Sequence, residues 1–557
     1  MIINHNIMAL NTYNKYNIAN NRMAGNLSKL SSGLRINRAA DDAAGLAISE
    51  KMKAQISGLE QASRNALDGN SLIMTAEGAL SEVHSMLSRM RELAVQAAND
   101  TYTSSDRMAI QNEIEQLKEE IDRIASATQF NRKNLLDGSS SALVSTDRLT
   151  TKVYMREGLR IIDQFGQKMA GGGNYIVRVS GTAGVSEVSK SNIMYVKHDV
   201  TDANNIALKV GDIATTGTKL YDIREFWDAN GNFLLEEAKT LTIMQGDGKR
   251  TTVTIYGSDT LGTLIKKLNE AIGGANGLNQ DSLFGAGYTA ANRSYVGFVT
   301  PAMASAATSG LPTVPGTLIV QSAVPGKGGA LNFIGDDSII NALGLSTVRY
   351  AVETKFSASV YDAHTSKVIA SGVEFEGNLL VGVLHPNVDV EISSTTSLQA
   401  RVSGVNGLST ILWSSAGAER TYVHLADRSM VFHVGANSLQ DVNAAIGNMG
   451  SSALGLDGLL VTTNPLANKA IRTLDLAIDR VSNARSKLGA IQNRLDHTVS
   501  NLNEMALNLT SALSRIQDAD MAKEMTEFTK NNIILQAATA MLAQANQLPQ
   551  NVLQLLR

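Results

Sequence analysis

Residues 464–516 read NPLANKAIRTLDLAIDRVSNARSKLGAIQNRLDHTVSNLNEMALNLTSALSRI, and one line through them decides the fold. Leu474, Val481, Leu488, Leu495, Leu502, Leu509 and Ile516 recur every seven residues without a miss. A second line runs through Ile471, Ile478, Ile491, Val499, Met505 and Leu513, with polar interruptions. Apolar residues at this spacing form a stripe along one helix, and so long a repeat implies a coiled-coil seam. Asn464 before Pro465 predicts an N-cap followed by the first helical residue. At about 1.5 Å per residue the helix would extend roughly 60 Å or more. Alone it would leave its stripe in water, so partner helices must cover it.

The N-terminal third supplies partners. Met52, Leu59, Ala66, Ile73, Leu80, Leu87 and Ala94 form another seven-residue line, with Val83, Met90 and Ala97 beside its later part. After a polar stretch at 100–106, Ile110, Ile114, Leu117, Ile121 and Ile124 are spaced 4-3-4-3, which predicts a third helix. One helix up, one down and a C-terminal helix closing the bundle make a rod. The first and last thirds must then meet, and the middle is an excursion from one end.

The extreme ends carry weaker seams. Ile3, Ile7 and Leu10 begin one, and Met23, Leu27, Leu30 and Leu34 resume it beyond Asn14, Asn17, Asn20 and Asn21, which favour helix poorly. At the far end Met521, Phe528, Leu535 and Leu542 form a line out of phase with the one ending at Ile516, so the seam resets near Asp518. Pro549 is expected to break that helix before Val552. Both end segments are expected to gain order in an assembly rather than alone.

Composition agrees with this division. The chain has 557 residues, enough for about three or four domains. Residues 1–138 hold 7 glycines and no proline, 461–557 hold only Gly489, and the middle holds the other 38 glycines, both tryptophans and five of seven prolines. Helix is therefore expected at the ends and strand and turn between them. Residues 251–256 read as a strand after the turn 245–248, Asp228-Ala229-Asn230-Gly231 as a hairpin turn, and 263–272 as a short helix. One or two β-rich domains are expected in the middle.

Several functions are disfavoured. Lys+Arg is 49 against Asp+Glu 52, a balance unlike that of a nucleic-acid binder. The chain has no cysteine, which removes disulfides, thiolate zinc sites and thiol catalysis. No run is long and apolar enough for a membrane helix, and the N-terminus lacks a secretory-signal pattern.

The two ends resemble bacterial flagellin. The stretches carrying this are 27–37 (LSKLSSGLRIN), 39–48 (AADDAAGLAI), 91–99 (RELAVQAAN) and 128–131 (TQFN) near the N-terminus. Toward the C-terminus they are 488–490 (LGA), 492–495 (QNRL) and 542–547 (LAQANQ), followed by 549–553 (PQNVL). The resemblance covers roughly 1–138 and 430–557. It implies a mainly α fold with a β-rich insert: a long coiled-coil-like helical bundle from both ends, with variable β-rich outer domains in the middle. In these terms 1–42 and 517–557 are inner-tube helices, 43–178 and 431–516 are the two parts of the bundle, and 179–430 is the outer region. The inner-tube assembly residues are then Ile3, Ile7, Leu10, Leu27, Leu30, Leu34, Met521, Phe528, Leu535 and Leu542.

The resemblance further implies a homo-oligomer that grows as an open helical filament, an extracellular propeller for motility. It implies export without a cleaved signal peptide and an export chaperone on the C-terminal segment. The filament cap and the hook–filament junction proteins are further partners, with no membrane or nucleic-acid partner. It implies no catalysis and no cofactor. A hook–filament junction protein, with similar ends, is the alternative. By alignment of motifs, the contacts of the Toll-like receptor for flagellin fall on Arg89, Leu93 and Glu113; these otherwise read as two solvated charges and a seam leucine.

Other motifs are bland. Some flagellins carry a zinc peptidase in the middle, but none of the eight histidines has a histidine at i+4 with a glutamate between. Residues 246–249 and 326–329 lack phosphate-loop spacing, and 228–232 lacks the closing acid of a calcium loop. Trp227 and Trp413 read first as core residues of β domains, with a surface glycan platform as the alternative.

Overall fold

The structure, a computed structural model, describes residues 6–148, 151–159, 161–162, 168–169, 173–284, 288, 293–301, 314–393, 396–405 and 408–555. Ile3 lies outside them. The helices used below are α1 (Ile7–Ser32), α2 (Ala43–Ala97), α3 (Ser104–Ala127), α4 (Leu261–Gly273), α5 (Asp337–Leu343), α6 (Asn464–Gln517) and α7 (Met521–Leu555). The chain forms two compact units. One comprises Met1–Ser71, Val431–Val442 and Ile491–Arg557; the other comprises Leu72–Met430 and Asn443–Ala490.

In the first unit α1 and α7 pack along one another. Asn531, Ala538 and Ala545 are buried on α7 at seven-residue intervals, and Ala19 is buried on α1. Small seam residues let the two backbones approach, and α1 stays helical through its asparagines with α7 as partner. Both end segments are thus helical in the single chain, where the sequence suggested order through assembly. Asn6 caps α1, its side-chain oxygen accepting from the Ala9 N–H at 2.9 Å, while its Nδ2 donates to the Ala545 carbonyl at 2.9 Å. Ala545 lies four residues before Pro549, so proline denies that carbonyl its helical donor. With Asn6 supplying a donor, α7 continues through Pro549 to Leu555, and the expected break there does not occur.

Gly33, in the left-handed region at φ +73°, ends α1. The chain then runs against the end of α6: Arg35 N–H donates to the Gln517 carbonyl at 2.7 Å, and Ala519 N–H to the Gly33 carbonyl at 2.9 Å. Within this unit α2 and α6 run antiparallel, with Asn70 against Asp496 at 3.0 Å and Ser63 against Asn503 at 3.3 Å. Leu59, Ala62 and Leu502 form their core. Gly58 and Gly69, on α2, lie under the 431–442 segment. A Cβ at Gly69 would stand 2.9 Å from the Phe432 ring.

In the second unit Ile73, Ala76, Leu80, Val83, Leu87, Met90, Ala94 and Ala97 are buried on α2 in continuous 3-4 alternation. Facing it, α6 buries Ala467, Ala470, Leu474, Ala477 and Val481. The inner second line of α6 is therefore alanine. Ile471 and Ile478 are half-buried at its flank; farther along, Ile491, Val499 and Leu513 are half-buried and Met505 is exposed. Close helix approach leaves room for methyl groups there, not for branched chains. Arg91 with Asp475 (2.6 Å) and Arg485 with Glu77 (2.8 Å) flank the seam. Asn464 makes no N-cap bond. Its Nδ2 instead donates to the Ala98 carbonyl at the end of α2 and to Asp100. On α3, buried Gln111 donates to the Leu459 carbonyl and accepts from the Val461 N–H.

Two β cores follow, the second inserted in the first. Strands β1 (Ala142–Thr146), β2 (Lys152–Met155) and β3 (Gly173–Thr182) precede the insertion. Strands β4 (Lys355–Asp362), β5 (Val368–Glu376), β6 (Leu379–His385), β7 (Val388–Glu391) and β8 (Glu419–Asp427) follow it. They form a five-stranded antiparallel sheet ordered β5-β4-β3-β8-β1 and a three-stranded sheet β6-β7-β2, sharing one apolar core. The insertion leaves and returns at Val185 and Val352, which pair by two backbone hydrogen bonds at 3.0 and 2.9 Å. It contains a three-stranded and a four-stranded sheet with α4 and α5 around a separate core that includes Ile243, Ile255, Leu264 and Tyr295. The expected boundaries at 178/179 and 430/431 fall inside strands, β3 and Met430–His433 respectively. Strand begins at Gln129, directly after α3 and before the glycine-rich part of the chain.

Candidate functional site

The end helices leave much of their apolar surface uncovered. On α1, Ile7, Met8, Leu10, Tyr13, Ile18 and Leu27 are 47–65% exposed. On α7, Met521, Met525, Ile533, Ile534 and Met541 are 42–65% exposed. The described assembly candidates therefore split. Ile7, Leu10, Leu27 and Met521 face solvent, while Leu30, Leu34, Phe528, Leu535 and Leu542 are half-buried. Large exposed apolar patches are general markers of interaction sites. Ile533 and Ile534 lie off the heptad line through Phe528 and Leu535; consecutive isoleucines on a helix cannot both face the α1 partner.

The turn from α1 to α2 is polar and tightly bonded. Asp41 accepts the backbone N–H groups of Asn37 and Arg38 at 3.0 Å each, and those two bonds hold its carboxyl below the usual carboxylate range. Ile36 beside them is buried, and Lys29 pairs with Glu524 across α1 and α7 at 3.7 Å.

Arg89 and Glu113 come together on α2 and α3. Arg89 donates from Nε and Nη2 to Glu113 Oε1 at 3.1 and 2.9 Å, and both side chains are about half exposed. Its donation to the Glu113 carboxylate raises the Arg89 pKa further. Leu93, one turn from Arg89, is buried at 2% exposure.

The remaining motifs are turns. Both Asp228 oxygens are engaged by Asn232, which closes the hairpin expected at 228–231. Gln245 and Lys249 bond across the turn at 246–248. No group of three or more metal-ligating side chains occurs among the described residues. No described helix is long and apolar enough to cross a membrane.

Comparison with known proteins agrees with this arrangement. Residues 3–141 match the bacterial flagellin N-terminal helical region, and residues 471–556 the bacterial flagellin C-terminal helical region. A flagellin of Clostridium tyrobutyricum is 33% identical over 547 residues, covering 98% of this chain and 99% of that protein. A flagellin of Bacillus subtilis is 30% identical over 561 residues, covering all of both. One of Halalkalibacterium halodurans is 63% identical over 137 residues, 25% of this chain and 50% of that protein. Paired terminal helices with exposed apolar side chains, in a chain whose middle is β-rich, are thus those of a self-polymerising structural subunit of the extracellular flagellar filament, and the chain belongs to the bacterial flagellin family.

Proposed function

We propose that the exposed faces of α1 and α7 drive filament growth by burying themselves between neighbouring subunits. The observation that carries this is their exposure: six large apolar side chains on α1 and five on α7 stand in water in the single chain. Completing their burial would contribute on the order of 10 kcal/mol or more per subunit. A head-to-tail contact that does not close on itself makes an open helix. Membership of the flagellin family supports, as further parts of this reading, export without signal cleavage, an export chaperone on the C-terminal segment, and docking on junction and cap proteins. Seeded polymerisation of purified chain, watched by electron microscopy beside a version lacking residues 518–557, tests this. Long filaments from the full chain alone are expected. If the full chain stays monomeric with seeds and high salt, the junction-protein reading replaces it.

A second reading concerns the bundle face. The exposed Arg89–Glu113 pair supports recognition of the monomer by the Toll-like receptor for flagellin, with Leu93 holding α2 in position beneath. Arg89→Ala and Glu113→Ala should each lower receptor affinity, whereas Leu93→Ala should act through thermal stability. Unchanged affinity in both charge variants would end this reading.

A further inference from the structure

Aromatic residues are scarce in this chain, 11 Phe, 13 Tyr and 2 Trp in 557 residues, yet four of them gather on one face of the inserted β core. The hairpin turn at 228–231 brings Phe233 back beside Trp227, where the two pair by an antiparallel bridge with ring centroids 5.4 Å apart. Tyr221, held by the Trp227 Nε1 hydrogen bond to its carbonyl at 2.9 Å, packs edge-on against both rings at 5.0 and 5.1 Å. Tyr256 directly follows the strand Arg250–Ile255, and the loop it opens is tied to the Tyr221 turn by the Leu220 N–H to Asp259 carbonyl bond at 2.9 Å. Gly257 must lack a side chain here, since a Cβ would stand 2.5 Å from the Phe233 ring.

These elements enclose an open cleft of about 640 Å³, walled by Tyr221, Phe233 and Tyr256 with Asp222, Glu236 and Ser258 among its polar groups. Tyr221 and Tyr256 are 46% and 49% exposed. Asp222 holds His198 through one oxygen at 2.9 Å; its other oxygen has no hydrogen bond among the described residues. Phe233 packs against the inserted core, as Trp413 does, so the rings that the cleft leaves open to solvent are Tyr221 and Tyr256.

We propose that this cleft binds the pyranose ring of a saccharide. A sugar ring has an apolar C–H face, which suits exposed aromatic rings, and a rim of hydroxyls, which suits carboxylate and hydroxyl partners. An organic cation is the other ligand that aromatic walls attract. Here Lys197 already sits over Trp227 at 3.1 Å and Lys267 over Tyr256 at 4.6 Å, so one face of each of these two rings is already taken by a cation. A nucleotide would need a cationic phosphate site, and Lys219 in this cleft is outnumbered by Asp222 and Glu236.

The test is saturation-transfer NMR on the full-length monomer with lactose, with N,N′-diacetylchitobiose, and with choline as the cationic comparison. Saturation of ring C–H protons in at least one disaccharide is expected, with affinity in about the millimolar range for so open a site. Tyr256→Ala, whose ring is not part of the Tyr221–Trp227–Phe233 cluster, should lose about tenfold or more while keeping a single cooperative melting transition, lowered only slightly by loss of the Lys267 contact, and Tyr221→Ala should lose as much. Tyr422→Ala, equally exposed on a different core, should bind as the unaltered chain does. No saturation of either disaccharide, choline binding alone, or full binding by Tyr256→Ala would each overturn the assignment.

Discussion

At the scale of single residues, glycine separates packing from propensity within one helix. Gly69 and Gly78 both lie in α2, but a Cβ at Gly69 meets the Phe432 ring at 2.9 Å while one at Gly78 meets nothing within 4 Å. Gly78→Ala should therefore raise stability by about 0.5–1 kcal/mol through helix propensity. Gly69→Ala should lower it, because overpacking of roughly 1–3 kcal/mol exceeds that gain. Thermal denaturation of the two variants side by side checks the sign of each. Gln111 is the polar counterpart. Gln111→Ala strands the Leu459 carbonyl and the Val461 N–H in a buried place, and should cost about 1–3 kcal/mol per unsatisfied group.

At the scale of elements, the ends of helices are held by groups from elsewhere in the chain. Asn6→Ala would leave the Ala545 carbonyl without a donor, and α7 should then fray from Pro549 onward. Hydrogen exchange at 550–555 should rise with little change in α2 or α6. Asp336 caps α5 through the Ser338 N–H and pairs with Lys239 at 2.9 Å. The Ser338 hydroxyl, foremost, together with Lys239 brings its pKa down to about 2. A folded pKa below the unfolded one means stability present above about pH 4 and lost as pH falls toward about 2. Asp336→Asn should flatten that acid limb in a urea-denaturation series between those values. Asp41 shifts in the same direction, so the α1–α2 turn should also loosen as acid protonates it.

At the scale of the whole molecule, insertion within insertion separates assembly from decoration. The inserted core begins and ends at the paired residues Val185 and Val352, so 186–351 can be replaced by a short Gly-Ser link without stretching the chain. Ile411 and Trp413 would lose their cover and need polar replacements. Such a chain should still elongate filament seeds, since the exposed α1 and α7 faces lie outside the deleted part. Failure to elongate seeds despite a native melting transition would place an assembly contact in the inserted core.

The long helices and the seven-residue lines of α2 and α6 are legible in the order of residues, because a helical stripe is a local property of spacing. Hairpin chemistry was local too, and the turns at 228–231 and 245–248 are where their residues put them. The rest depended on which segments meet. That the inner line of α6 is Ala467, Ala470 and Ala477 rather than isoleucine follows from how closely α6 approaches its neighbours, which no single-helix period contains. Asn464 reads as a cap and serves instead as a donor to α2, and Pro549 reads as a break until Asn6 arrives from the other end of the chain. Leu93 reads as either surface or seam, and only packing between helices buries it. Tyr221 and Tyr256 are separated along the chain and become one cleft only when the Asp259 loop ties their turns together. Periodicity fixes each helix's apolar face within a few residues, whereas partners hundreds of residues apart are chosen by the packed chain.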